Sequence, residues 1–560
     1  METLRMFVNG QAMSGGSLNG ALSAATFLGP AETAPRYRFY SVRDEFPGLH
    51  PVETGGRAVP GELYSVTYEI LREHLLPNEP PELELGVIEL SDGSGSLSMR
   101  MRPESLGLPG TVVEAGWSGP ADVLISDGRV SALVETGTAT AATTIDASGR
   151  LVMPGGVDPH CHVGFTSGEF TSLDDYRECT TAAVYGGTTT IVDFAIPRPG
   201  ENPADVAYAQ REKASQGLCD SALHGCVVEW DDTVPDQLAA LIGDGITTFK
   251  MFTTYRGETM ASEDTVLRTM KTLAGLGGMV VIHCEADHII GDTQRSRAAA
   301  GRIGATDMAA TRPALAETAS VAEVLAIAES VDAPVYFVHQ STAEAVELVA
   351  AARRRGVRAY TEAVAHHLVL DDSRYAGDHP ERFVCCPPLR SREKVEALGR
   401  HLFTGEITTI GSDHCCYDTA QKEIHREDVR AMPNGLPGVE TRLPVIFSEY
   451  VVRRGLPVSR FVELTSAAPA RANGLYPRKG TLLPGADADI AIWNPEATWQ
   501  VTASGLHMAT DYTPYEGMRL TGRPETVLVN GRPVVEDNAL ADPTPRGRHI
   551  RAVPFGRGGA

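Results

Sequence analysis

Residues 150–163 read RLVMPGGVDPHCHV. An apolar run meets a Gly-Gly pair and then Asp158-Pro-His160-Cys161-His162. In an extended strand, residues i and i+2 share a face, so both imidazoles aim at one point while Cys161 aims away. Gly155-Gly156 reads as a backbone bend, because no G-x-G-x-x-G context accompanies it. The same texture recurs seven times downstream: TTTIVDFAI from 188, SALHGCVVEW from 221, ITTFKMF from 246, GMVVIHCE from 278, APVYFVHQS from 333, VRAYTEAV from 357 and ITTIGSDH from 407. Short apolar, β-branched runs suit strands buried on both faces of a parallel sheet. Helical stretches separate them, such as LDDYRECTTAAVYGG, RPALAETASVAEVLAIAES and STAEAVELVAAARRRG. Eight β/α units over 151–477 predict an α/β fold, a (β/α)8 TIM barrel. A doubly wound open sheet is the structural alternative.

Outward from the barrel, the chain changes character. Residues 109–150 hold short β-like pieces (TVVEAGW, ADVLISDGRVSALV, TTIDASG), and 478–545 hold more of the same (DADIAIWNP, TVLVNGRPVV). Two β-rich flanks around one long insert predict a small β-sandwich built from both sides. That leaves residues 1–108, rich in Gly, Pro and Glu, as a separate N-terminal domain, and 546–560 as a tail. The length of 560 residues accommodates this division at roughly 100–200 residues per domain. With 49 basic against 72 acidic residues, the formal charge is −23. An acidic chain without clustered Lys and Arg argues against a nucleic-acid surface or a polybasic membrane anchor. No long apolar segment suggests a spanning helix, and METLRMFVNG lacks the features of a secretion signal. The nine cysteines have no disulfide-scaffold spacing, so reduced thiols and a cytoplasmic location are expected.

In such a barrel, chemistry belongs at the C-terminal ends of the strands. Strand one ends in His160 and His162, strand four in Lys250, strand five in His283, strand six in His339, and strand eight in Asp413. Imidazole and carboxylate donors suit zinc and other divalent first-row ions. Parity directs Cys284, His414 and Cys415 away from that cluster. His366-His367, after strand seven, could line the pocket or belong to a solvated loop. Lys250 cannot ligate a cation as an ammonium. It is either salt-bridged to a carboxylate, or converted by carbon dioxide to a carbamate able to bridge two metals about 3.5–4 Å apart.

VMPGGVDPHCHV, FKMFTTY, VIHCE, VHQST and GSDH resemble the metal-ligand pattern of the amidohydrolase superfamily. More narrowly, TAAVYGGTTTIVDFAIP, TRPALAE, VCCPPLR, MPNGLPGVETRLP and YPRKGTLLPGADADIAIWNP make residues 109–545 similar to the dihydropyrimidinase/hydantoinase cyclic amidases. The resemblance implies two zinc ions held by His160, His162, carboxylated Lys250, His283, His339 and Asp413. It implies metal-activated hydroxide attacking the C–N bond of a hydantoin, dihydropyrimidine or related ring ureide or imide, giving an N-carbamoyl or amide acid. Asp413 would carry the proton, Tyr255 would stabilise the oxyanion, and Ser341 and Asn434 would contact substrate. A homo-oligomer, dimer or tetramer, is implied as well.

This chain departs from the pattern in having H-C-H for the usual H-T-H, with the odd residue pointing away. His162-Val163-Gly164-Phe165 carries no basic residue, which argues against a carboxylate-bearing dihydroorotate. Two other readings stand beside the amidase: an allantoinase-type ureide hydrolase, which Tyr255 disfavours, and a non-catalytic scaffold, which the full ligand set disfavours. FVNGQAMSGGSLNGAL, FLGPAETAPRYRFYSV and VPGELYSV resemble the γ-glutamylcyclotransferase-like α+β fold, in the version appended to allophanate hydrolases. Its glycine-rich opening loop reads either as a backbone cradle for a small anion or as a turn in a docking domain.

Overall fold

The computed structural model describes residues 3–14, 16, 18–42, 46–51, 56–79, 83–101, 110–198 and 200–555. The expected boundary between 108 and 109, Gly15 of the glycine-rich loop, and the last five residues of the tail lie outside the described residues. The chain forms two compact units. One comprises residues 1–122, 135–150 and 457–459, the other the remainder.

The first unit is organised by a seven-stranded sheet. Its order is Thr26–Glu32, Pro60–Thr67, Thr3–Val8, Gly95–Met101, Phe46–Pro51, Tyr37–Val42, with Leu83–Glu89 also paired to Gly95–Met101. The two-residue period of a strand explains its two cores. On the first strand Met6 and Val8 join Tyr64, Val66 and Leu71 on one side. Phe7, between them, joins Tyr37, Leu49 and Ile88 on the other.

The second unit contains eight parallel strands in sequence order. They are β1 (Gly156–Cys161), β2 (Thr188–Phe194), β3 (Asp220–Cys226), β4 (Thr248–Phe252), β5 (Met279–His283), β6 (Val335–Phe337), β7 (Ala359–Val364) and β8 (Thr409–Gly411). The helices between successive strands include α1 (Tyr176–Tyr185), α2 (Pro203–Glu212), α3 (Val234–Gly243), α4 (Glu263–Leu276), α5 (Ala314–Ser330), α6 (Ala343–Arg354) and α7 (Arg392–Thr404). This is the eight-unit TIM barrel read from the sequence, and each predicted run supplies one strand. β1 and β8 close the ring through a Cys161–His414 bridge and the His162 N–H to His414 carbonyl bond of 2.8 Å. Arg442, fully buried, straddles the same seam. It donates to the carbonyls of Val157 and Ile410 and to Thr188 Oγ1 at 2.8–3.2 Å.

Alternation along the strands sorts the side chains. Phe249, Met251, Val280, Ile282, Val335 and Phe337 pack outward against helical residues such as Leu238, Val266, Met270, Val324 and Val349. Met279, Val281, Tyr336 and Val338 form a second, inner cluster. Lys250 and His283 carry the inner parity; Cys284 falls in the outer cluster, as parity predicts.

Pieces from before and after the barrel share a further antiparallel sheet in this unit. Leu151–Pro154 pairs with Ile490–Gln500, which pairs with Arg519–Val529, then Arg532–Glu536, then Ala539–Leu540. The hairpin Asp122–Ser126 with Arg129–Val134 joins residues 485–488 through Val130 N–H to Ala486 O and Ala488 N–H to Gly128 O. The segment 547–555 straps the starting ends of the strands, through backbone bonds to Gly217, Ser221, Gly245, Gly474 and Gly277. Among the described residues no helix is long and apolar enough to cross a membrane, and all nine cysteines are free and buried.

Candidate metal centre

The two histidines that end β1 converge on the aspartate that follows β8. His160 Nε2 and His162 Nε2 are 3.3 Å apart. Asp413 Oδ1 lies 3.0 Å from the first and 3.4 Å from the second. A tetrahedron with metal arms of roughly 2.0–2.1 Å has edges of about 3.3–3.4 Å, so the three donors already occupy three corners of a zinc-sized site. Two bare imidazole nitrogens at this distance repel unless a cation sits between them. Burial pushes His160 down, but Asp413 and Glu362 outweigh it and hold it up at about 9. Burial lowers His162 to about 4. Burial also raises Asp413, yet the His160 charge prevails and keeps it ionised.

The other half of the cluster is poorer in charge. His283 and His339 stand edge to face with ring centroids 4.5 Å apart, and His339 stacks on His160 at 5.4 Å. His339 Nδ1 is buried without a hydrogen-bond partner among the described residues. His283 donates through Nε2 to Glu285 Oε2 at 2.7 Å, which leaves Nδ1 as its free donor atom. Lys250 is 1% exposed, and its Nζ lies 4.9 Å from the ring centres of Phe194 and Phe252. Phe194 also packs on His160 and His162 at 4.7–4.8 Å. Among the described residues no carboxylate lies within ion-pair distance of Lys250, although the charges of Asp413 and Glu362 act on it. Burial lowers the Lys250 amine to about 8. The donor set therefore fits two divalent cations if Lys250 supplies an anionic group.

Tyr255 stands beside this cluster, its ring edge-on to His283 at 5.3 Å. Its φ of 69° and that of His339 at 37° and Asp413 at 49° are left-handed, a costly conformation for residues with a Cβ. Asn434 comes in through Cys386, whose thiol donates to Asn434 Oδ1 at 3.2 Å. Ser341 is placed differently. Its amide and hydroxyl both donate to the buried Glu317 carboxylate, and Arg390 Nε donates to the same hydroxyl at 3.0 Å. Only its carbonyl is left for a substrate. His414 points away, donating to Asp174 at 2.7 Å. His366 and His367 are each 2% exposed, so the solvated-loop option does not describe them.

Four residues that sequence reasoning passed over support the cluster. Glu362 on β7 accepts from His160 Nδ1 at 2.7 Å and from the His339 amide at 2.9 Å, and its other oxygen accepts from the Tyr336 hydroxyl at 2.8 Å. Gly411 makes room for it; a Cβ there would meet the Glu362 carboxylate at 2.9 Å. Glu285 orients His283 and is itself gripped by Arg312 through Nε and Nη2. Arg312 also covers the Tyr255 ring at 5.3 Å. One salt bridge thus steadies the His283 imidazole and the Tyr255 ring together. A carboxylate in the middle of the buried run AYTEAV was the available signal for Glu362. Cys386, beside Tyr255, was read only as a small hydrophobe.

Residues 4–112 match the family model of the allophanate hydrolase C-terminal domain. A D-hydantoinase of Streptomyces coelicolor is 39% identical over 439 residues, covering 76% of this chain and 93% of that one. A dihydropyrimidinase of Rattus norvegicus is 34% identical over 457 residues, covering 80% and 88%. The crystal structure of dihydropyrimidinase from Brevibacillus agri superposes with a TM-score of 0.78 at 34% identity, covering 80% of this chain and 99% of that one. Residues 151–534 match the model of the amidohydrolase family, and the chain belongs to that family.

Proposed function

We propose that this enzyme opens a ring amide, breaking a C–N bond of a hydantoin, a dihydropyrimidine or a related ureide or imide to give an N-carbamoyl or amide acid. The observation that carries the reading is the buried cluster of His160, His162, His283, His339 and Asp413 around a lysine that forms no ion pair among the described residues. Its likeness to D-hydantoinases and dihydropyrimidinases supports the substrate class. A neutral Lys250 amine can add to carbon dioxide, forming an N–C bond and releasing a proton. The resulting carbamate gives the cluster the anion it lacks. Two divalent ions, zinc by the donor set, would supply Lewis acidity and lower the pKa of a water from about 15.7 to about 7.

The chain's own groups do the rest. Asp413 is held ionised beside His160 and His162, ready to take the attacking water's proton on its carboxylate and return it to the leaving ring nitrogen. Burial holds the Tyr255 hydroxyl far above its usual range, so it stays protonated and donates to the developing oxyanion. Asn434, Cys386 and the Ser341 carbonyl border the space a ring would fill. Tyr255 favours this reading over an allantoinase, and the complete donor set favours it over a scaffold. The enzyme works as a homo-oligomer in the cytoplasm. The test is turnover of hydantoins, dihydropyrimidines, allantoin and cyclic imides, with metal measured on the same sample. Ring opening of hydantoins or dihydropyrimidines at about two metals per chain is expected. A metal-loaded enzyme inert to both would overturn the substrate class, and a chain that takes up no metal would restore the scaffold.

A further inference from the structure

Behind the catalytic cluster lies a second group of donors. His366 and His367 sit in the short helix Ala365–Val369 that follows β7, and Cys385 lies in the loop ahead of α7. Each offers a ligand atom within 4.8 Å of those of the other two. All three side chains are buried, at 1–2% exposure. The two rings meet edge to face at 4.4 Å. His367 Nε2 donates to the Pro387 carbonyl at 2.9 Å, which fixes the neutral tautomer and leaves Nδ1 as a bare lone pair. Among the described residues that Nδ1 has no hydrogen-bond partner, and neither does His366 Nε2. Two unpartnered imidazole nitrogens in one buried place are costly, roughly 1–3 kcal/mol each. They are also what a metal site looks like before the ion arrives.

We propose that His366, His367 and Cys385 form a third metal site, distinct from the dinuclear centre and selective for a soft cation, Cu(I) ahead of Zn(II). Two imidazoles with one thiolate make a soft donor set, matched to these ions. The surrounding charge orders them. Lys422 is buried nearby, with its Nζ donating to the carbonyls of Val384 and Pro433 at 2.8 and 2.9 Å, and it forms no ion pair among the described residues. Arg390 lies on the His367 side. A monocation with one thiolate is neutral overall, whereas a dication leaves a positive charge buried beside the Lys422 ammonium, Arg390 being paired with Glu317 at 3.6 Å. Binding is a simple exchange: the Cys385 sulfur forms a bond to the ion and its proton leaves to solvent, with no change of oxidation state. The adjacent residue, Cys386, borders Tyr255 and Asn434, so an ion fixed on Cys385 would stiffen the wall of the substrate space. That consequence rests on the proposed function; the site does not.

The test is therefore a binding measurement. The zinc-loaded full chain is titrated with Cu(I) without oxygen, against the chelator bicinchoninate, and zinc is counted on every sample. The wild type should retain one Cu(I) per chain with its zinc unchanged. Cys385→Ser and His366→Asn should each lose that copper while keeping the zinc and the wild-type circular dichroism. Three results would overturn the site: no copper held by folded wild type, copper held equally by both variants, or copper entering only as zinc departs. Loss of turnover on copper binding would support the link to Cys386. Copper binding without loss of turnover would overturn that link and leave the site standing.

Discussion

Glu362→Gln separates the charge of a supporting carboxylate from its hydrogen bonds. Glu362 accepts three bonds, from His160 Nδ1, the His339 amide and the Tyr336 hydroxyl, at 2.7–2.9 Å and out of contact with water. A glutamine of the same shape can keep its oxygen towards the two nitrogens and turn its amino group to Tyr336. The tyrosine oxygen then accepts, and its hydrogen turns from residue 362 to Thr409 Oγ1, 2.6 Å away. Each of the three bonds keeps a partner, so the main loss is charge. Charge-assisted bonds contribute about 1.5–3 kcal/mol against about 1 kcal/mol for neutral ones, a difference near 1–1.5 kcal/mol. At 1.36 kcal/mol per factor of ten, metal affinity should fall about tenfold, the low end of the range of about 10–100 for a ligand's supporting partner. Glu362→Ala strands three donors and should cost about 100-fold, with a fall in melting temperature besides. Competition against a chromophoric chelator measures both. Affinity in Glu362→Gln within about twofold of wild type, or an alanine variant no worse than the glutamine, would refute the reasoning.

Tyr255→Phe should keep its metal and lose about 10²–10³ in kcat; near-normal turnover would remove the hydroxyl from the chemistry. Lys250→Ala should lose metal and regain part of it with acetate or propionate, read by metal analysis; full occupancy without additive would disprove the bridging carbamate. At the opposite end of the barrel, burial raises Asp220, but Lys479 at 2.6 Å and Arg548 at 2.7 Å outweigh it and hold it at about 2. A depressed folded value means stability that is complete above the unfolded value of about 3.9 and lost as pH falls towards about 2. The amount is on the order of 2–3 kcal/mol. Urea midpoints of wild type and Asp220→Asn should therefore converge between pH 4 and 2 (about the two titration points); parallel curves would sink the assignment.

The barrel was legible because a parallel strand buried on both faces is a short apolar run, and eight such runs are hard to mistake. Half of the site was legible for a related reason. His160 and His162 share a face two residues apart, and Lys250 and His283 have the parity of the inner cluster. His339 breaks that rule. Val335 and Phe337 face the helices while Tyr336 and Val338 face inward, so alternation alone sends residue 339 outward. A φ of 37° turns it back into the site. Tyr255, at 69°, is likewise aimed by a conformation that its residue type resists. His339 was found from its place at a strand end and Tyr255 through family likeness, since no periodicity encodes a left-handed residue. The supporting shell was harder still. Glu285 and Arg312 lie 27 positions apart in the chain yet share two hydrogen-bonding groups, and Ser341 was assigned to substrate although its hydroxyl serves Glu317 and Arg390. Strand periodicity says which face a side chain takes; only the folded neighbourhood says which partner it meets there. Three of the left-handed residues, His339, Asp413 and Tyr255, mark where this barrel gives up local stability to aim a side chain. Two are proposed metal donors and one is the proposed oxyanion donor. Relaxing them should therefore cost function before it costs fold.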